Sequence, residues 1–247
     1  MQKIYKGNFT IIIPARWKSS RFPGKPLEKI NGVPMLERVV SICNKAVVSK
    51  KVIVATDDNR IKKFCISKKI NFLMTSSSCL TGTDRIIEIA KKTLKYKNFI
   101  NVQGDEPLLD PKELQKFINY SIKNSKEIII AKCLIDKDKF FEKNIPKIVT
   151  DNNDNLLYIS RGSIPMTKDG LYQKAYGQVN LYSYPIKVLM MKGLKNKKTK
   201  NEKIEDIEIL RFLEKGLNVK VLKMKKPTQP VDEKKDIRLV EKILNNK

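Results

Sequence analysis

Apolar positions in the first half of the chain fall into short runs that alternate with helically spaced stretches. Residues 9–13 (FTIII) form a brief, mostly apolar run closed by Pro14, the pattern of a strand buried on both faces. The runs at 51–55, 72–75, 98–102 and 127–133 have the same character. Between them, residues 35–46, 61–66, 84–94 and 111–122 place apolar side chains on one helical face. Thr56-Asp57-Asp58 supplies a helix start, and Pro111 is tolerated in a first helical turn. Strand and helix alternating at this spacing predict an α/β fold, a mostly parallel sheet with helices on both faces. Ligands in such sheets bind at the carboxyl ends of strands, which points to the loops after Ile13, Ala55 and Val102.

From about residue 140 the pattern changes. Residues 147–150, 156–160 and 179–184 read as strands separated by Asn/Asp and Gly turns. They predict a small antiparallel insertion over 140–190, a common way to build a dimer face. A helix at 204–215, a strand at 219–222 and a closing helix at 236–244 follow. No internal repeat or linker divides residues 1–247, so one domain is expected.

Composition narrows the chemistry. The 247 residues are 41% hydrophobic and 31% charged, enough to bury a core. No apolar run approaches the ~20 residues of a membrane span, and the three isoleucines before Pro14 are too few for a signal-peptide core. A cytoplasmic protein with no membrane partner is expected. There is no histidine, which excludes Ser-His-Asp and Cys-His mechanisms and most zinc sites. Cys43, Cys65, Cys79 and Cys133 are too far apart for a metal knuckle and are expected to be buried and reduced. The net charge of +25 invites a nucleic-acid partner, yet only eight of the 51 basic residues are arginine. Arginine is the better fork for phosphates and base edges, so the charge reads as a lysine-rich solvated surface and no nucleic acid is expected. Such a field still attracts anionic substrates such as nucleoside triphosphates.

Residues 14–27 (PARWKSSRFPGKPL) follow a strand and hold Arg16, Lys18, Arg21 and Lys25 among small residues. Four cations and free backbone amides in a loop stiffened by prolines suit a polyphosphate. The spacing is neither that of a Walker A loop nor that of a dinucleotide fingerprint. On its own the segment is equally a basic surface loop. Asp105, in the tight turn after the 98–102 strand, is either a magnesium ligand or an ordinary cap for the next helix.

These segments carry a resemblance. PAR..SSRFPGKPL and NGVPML within residues 11–36 resemble the sugar-acid cytidylyltransferases, specifically the 3-deoxy-manno-octulosonate cytidylyltransferases. ATDD at 55–58, TGTDRI at 81–86, NVQGDEPLL at 101–109, LYISRGSIP at 157–165 and PVD at 230–232 follow in the family's order. The resemblance implies a Rossmann-like nucleotide-diphospho-sugar transferase fold and a homodimer. It implies transfer of CMP from CTP to the anomeric hydroxyl of a 3-deoxy-ulosonic acid, with release of pyrophosphate, for lipopolysaccharide or capsule assembly. It implies a Mg2+ cofactor held by Asp105 and Asp232. Arg16, Arg21, Lys25 and Asp105 would be catalytic, with Lys25 neutralising the leaving pyrophosphate. Pro14, Ala15, Arg16, Lys25, Thr81, Gly82, Thr83, Arg85 and Gln103 would line the nucleotide site. The 81–85 turn alone reads as a plain N-cap supplied by Thr83 or Asp84.

On the sugar side, Gln103, Arg161, Gln178 and Glu208 are the candidates, and here the chain departs from the family. Gln178 and Asn180 stand where the family's H-[LIV]-G-[ILV]-Y run has histidine and glycine, and Ile209 replaces a glutamine. Glutamine still hydrogen-bonds but carries no charge, and isoleucine does neither. A polar pocket that loses a partner discriminates between sugars, so a modified ulosonic acid is the alternative acceptor.

Overall fold

The computed structural model describes residues 7–18, 22–225 and 227–246. Strand β1 (Phe9–Ala15) leads through the short strands β2 (Lys29–Ile30) and β3 (Val33–Pro34) into helix α1 (Met35–Ala46). The β2–β3 hairpin turns on Asn31 and Gly32 at φ 45° and 76°, the Asn-Gly pair a two-residue loop favours. Strand β4 (Val52–Thr56), helix α2 (Asn59–Ser67), strand β5 (Phe72–Met74), helix α3 (Gly82–Lys92), strand β6 (Asn98–Val102) and helix α4 (Pro111–Lys123) continue the alternation. Asp58 and Asp110 cap α2 and α4 by accepting from first-turn amides. Next come strand β7 (Ile128–Ile135), helix α5 (Lys137–Phe141) and strands β8 (Lys147–Thr150), β9 (Leu156–Ser160) and β10 (Ala175–Pro185). Helices α6 (Ile186–Leu189), α7 (Lys200–Glu205) and α8 (Leu210–Leu213), strand β11 (Val219–Met224) and helix α9 (Lys234–Asn245) close the chain.

The main sheet runs β11-β7-β10-β6-β1-β4-β5. β1 is parallel to β4 and β6, β4 to β5, and β7 to β11, whereas β10 is antiparallel to both β6 and β7. The expected antiparallel segment therefore divides. β8 and β9 form a hairpin at the side, while β10 threads the main sheet between β6 and β7. β1 also runs through Pro14 rather than stopping before it. Its register with β6 ends at Ile12, so Pro14 lies where only β4 is paired and a missing N–H is tolerated.

Strand alternation sends side chains to two cores. Ile11 and Ile13 join Leu36, Val39, Val40 and Cys43 of α1 and Leu114, Phe117 and Ile118 of α4 on one face. Ile12 joins Ile86, Ile87, Ile89 and Ala90 of α3 and Leu210 and Phe212 of α8 on the other. Each fully buried Leu, Ile, Val or Phe side chain among these contributes about 1.5–3 kcal/mol. All four cysteines are buried and free.

The continuous helix expected at 204–215 is absent. α7 ends at Glu205, followed by Asp206 at φ 50°, and α8 begins only at Leu210. The Arg161 guanidinium donates to the carbonyls of Glu205 (2.6 Å) and Asp206 (3.3 Å), removing acceptors that an unbroken helix needs.

Candidate active site

Chain order reverses direction between β1 and β6, and the carboxyl ends of these two strands open a cleft at that switch point. The two loops approach closely because residue 104 is glycine: a Cβ there would lie 3.0 Å from the Pro14 carbonyl oxygen. The cleft is lined by Pro14 and Ala15 at the end of β1, by Arg16 and Lys25 beyond it, and by Gln103 and Asp105 after β6. Gly24 takes φ 76° to start the turn that presents Lys25. Lys25 Nζ then donates to Asp105 Oδ2 (2.7 Å) and to the Val231 carbonyl (2.8 Å). The Val231 amide donates to the Asp105 carbonyl (3.0 Å). Distant segments are thereby held side by side, and Asp232 lines the same cleft as Asp105. Arg21 lies outside the described residues.

The pair suits a divalent cation. Asp105 Oδ1 is buried and has no hydrogen-bond partner among the described residues. Among those residues no group of three or more His, Cys, Asp or Glu side chains forms a closed cage. Two hard carboxylates lining one cleft match a magnesium ion that takes its remaining ligands from phosphates and water.

Helix α3 points its first turn at the cleft. Thr81 is the N-cap, forming a capping box with Asp84. The amides of Gly82 (3.0 Å) and Thr83 (2.7 Å) and the Thr83 hydroxyl all donate to the Glu208 carboxylate. Thr81 and Thr83 are buried and spend their side chains inside the protein, so of this turn Gly82 and Arg85 face the cleft. Arg85 is itself tied to Asp57 (2.9 Å) and Thr75 (2.6 Å). Behind the turn, Arg211 is fully buried and binds Asp84 (2.7 Å) and both oxygens of Glu202 (2.6 and 2.9 Å).

A second cleft adjoins the first and shares Glu208 and Asp232 with it. Arg161, Gln178, Asn180 and Tyr182 line it. Gln178 Nε2 donates to the Tyr182 hydroxyl (2.6 Å), and Asn180 Nδ2 to Glu106 Oε1 (2.9 Å). Burial, and then the neighbouring Asp105 charge, push the Glu106 carboxyl up to about 8, against the pull of Thr228 and Asn180. The register of β10 against β7 shifts between Val179 and Tyr182, a bulge that re-aims side chains beside the cleft.

Residues 10–226 match the family model described as cytidylyltransferase. The chain belongs to the cytidylyltransferase family. It is 37% identical over 239 residues to 8-amino-3,8-dideoxy-manno-octulosonate cytidylyltransferase of Shewanella pealeana, covering 95% of this chain and 97% of that one. It is 36% identical over 234 residues to 3-deoxy-manno-octulosonate cytidylyltransferase of Myxococcus xanthus, covering 94% and 95%. Its fold superposes at TM-score 0.87 and 28% identity on CMP:2-keto-3-deoxy-manno-octonic acid synthetase complexed with CTP, covering 97% of this chain and 99% of that one.

In this cytidylyltransferase the structure brings Arg16, Lys25, Arg85, Gln103, Asp105 and Asp232 to one cleft and Arg161 and Gln178 to the next. Glu208 sits at the seam, but its carboxylate is already engaged as the cap of α3. Ile209 does not face the sugar side. It is fully buried beside Leu210 and Phe212, so the change from glutamine is absorbed by the core. Glu106, Glu202 and Arg211 were not expected from the sequence. Of these, Arg211 had a signal, because it lies two residues after Ile209, where the chain departs from the family.

Proposed function

We propose that this cytidylyltransferase transfers CMP from CTP to the anomeric hydroxyl of a 3-deoxy-ulosonic acid, releasing pyrophosphate. The observation that carries the reading is the seam: two clefts, one with Arg16, Lys25 and Asp105 and one with Arg161, meet at Asp232 and Glu208. A triphosphate in the first places its α-phosphorus near an acceptor in the second, and holding the two together supplies much of the catalysis. Arg16 and Lys25 bind phosphate oxygens, and Lys25 stabilises the charge that grows on the departing pyrophosphate. Among the described residues the Arg161 guanidinium donates to main-chain carbonyls, which leaves its charge for the sugar carboxylate. Asp105 and Asp232 would hold Mg2+, which when bound neutralises phosphate charge and lowers the pKa of a bound hydroxyl. No protein nucleophile is required, consistent with a chain that lacks histidine.

A second reading keeps the chemistry and changes the acceptor to a modified ulosonic acid. Gln178 and Asn180 on the bulged wall of the acceptor cleft favour it. The reading also includes a homodimer, supported by exposed apolar side chains at Leu134, Phe141, Leu157, Tyr158, Met166 and Leu171. Among the described residues no helix is long and apolar enough to cross a membrane.

Pyrophosphate release tests the reading. Each nucleoside triphosphate is incubated with Mg2+ and a panel of ulosonic acids that includes 3-deoxy-manno-octulosonate and its 8-amino analogue. Release confined to CTP plus a sugar acid is expected. Release that ignores the sugar, or salt-sensitive nucleic-acid affinity without release, would overturn it.

A further inference from the structure

Arg161 in the wall of the acceptor cleft and Lys147 beside it are two cations whose hydrogen bonds, among the described residues, go to main-chain carbonyls. The Arg161 guanidinium donates to the carbonyls of Glu205 (2.6 Å), Lys143 (3.1 Å) and Asp206 (3.3 Å). Lys147, the first residue of β8, is fully buried, and its Nζ donates to the carbonyls of Arg161 (2.7 Å) and Glu142 (2.9 Å). Among the described residues neither side chain forms an ion pair with a carboxylate. Glu205 is close, but its oxygens are taken by Ser160 Oγ (2.6 Å) and the Arg161 amide (2.9 Å).

A buried ammonium is costly unless something compensates its charge. Burial, and then the Arg161 charge, push the Lys147 pKa down, while Glu142 and Glu205 oppose that shift. Tying two carbonyls together needs a hydrogen-bond donor but no charge. Glu142 and Glu205 offset the charge only in part, and Arg161, whose carbonyl Lys147 holds, lines the acceptor cleft together with the neighbouring Asn144, Ile145 and Pro146.

We infer that Lys147 is a positioning residue for the acceptor's carboxylate. Its Nζ fixes the main chain of Arg161, and its charge reinforces the guanidinium from behind, so that the incoming carboxylate is attracted by both. This rests on the acceptor being a sugar acid, as proposed above.

The test pairs a deletion in the protein with a deletion in the ligand. Wild type and Lys147→Met are compared for the sugar acid as substrate and for its uncharged methyl ester as a competitive ligand, with CTP binding measured in parallel. The expected result is a rise in acceptor KM of about tenfold, about 1.4 kcal/mol, with CTP affinity within twofold. The preference of the wild type for acid over ester should shrink by a similar factor in the variant. Equal loss for acid and ester would make Lys147 a purely structural tie and overturn the inference, as would no loss at all. If Lys147→Met fails to fold, Lys147→Gln keeps a donor without the charge and makes the same comparison. Failure of the wild type to use any sugar acid would instead overturn the reading of the acceptor, and this inference with it. Normal wild-type turnover with an unchanged variant would overturn the inference alone.

Discussion

Glu208 gives the sharpest single perturbation, because its sequence context and its geometry assign it different work. As a sugar contact, its loss should raise the acceptor KM and leave the fold untouched. In the structure its carboxylate instead accepts from Gly82 N (3.0 Å), Thr83 N (2.7 Å) and the Thr83 hydroxyl. Hydrogen bonds to a charged group are each worth ~1.5–3 kcal/mol when buried, and a carboxylate at a helix N-terminus adds ~0.3–1 kcal/mol. Glu208 is only partly buried, so we take about 3 kcal/mol for the set. For a chain of this size that corresponds to a melting temperature lower by roughly 6–12 °C in Glu208→Ala. Glu208→Gln keeps one acceptor oxygen and should lie between. Thermal unfolding followed by circular dichroism reads the shift, and steady-state kinetics run alongside should show both substrates affected, since Gly82 and Arg85 line the nucleotide cleft. A Glu208→Ala protein that melts within about 2 °C of wild type, with only the acceptor KM raised, would refute the cap and restore the direct sugar contact.

Other consequences follow from the same geometry. Arg211→Met strands the buried Asp84 and Glu202 carboxylates and should destabilise the protein by ~3–5 kcal/mol, measured by urea unfolding. Lys25→Met should lower kcat by about 10²–10³-fold, because in the proposed reaction it removes a cation from the phosphates, and should also lower the melting temperature, because it breaks the tie to Asp105 and Val231. Glu88 is held at about 2: burial opposes its charge, but bonds from Lys195, Lys92 and the Ser76 amide outweigh burial. A depressed carboxyl contributes stability that is full above its unfolded pKa and is lost as pH falls through the folded one. The stability gap between wild type and Glu88→Gln should therefore be constant above about pH 5 and close between pH 4.5 and 2 in pH-stepped melts.

Much of the architecture was legible because burial on two faces leaves a simple signature. The runs that became β1, β4, β6 and β7 are short and apolar, and α1 and α4 repeat their buried positions with helical spacing. The failures have local causes. Residues 204–215 have helical spacing, but the Arg161 guanidinium claims carbonyls 205 and 206, a long-range interaction that no window of sequence contains. β10 starts at Ala175, ahead of the expected 179, because Gly177 and Gln178 belong to the strand although their residue types do not favour one. At the site, the Arg16–Lys25 loop and Asp105 were readable from their positions at strand ends. The convergence of Asp105 with Asp232 was implied by the resemblance and not by local pattern, since it depends on the main-chain bond from Val231 to Asp105. Thr81 and Thr83 lie in the expected turn, yet their hydroxyls serve the cap, a distinction set by which way the helix faces.

The central claim is that phosphorus is transferred from CTP to a sugar acid at the seam between the two clefts. Phosphorus NMR of a reaction containing CTP, a 3-deoxy-ulosonic acid and Mg2+ tests it most directly. The account predicts that the β-phosphate signal disappears as pyrophosphate and a CMP diester appear in equal amounts, and that Asp232→Asn suppresses both. Conversion of CTP to CDP and inorganic phosphate, or breakdown that proceeds equally well without the sugar acid, would contradict it.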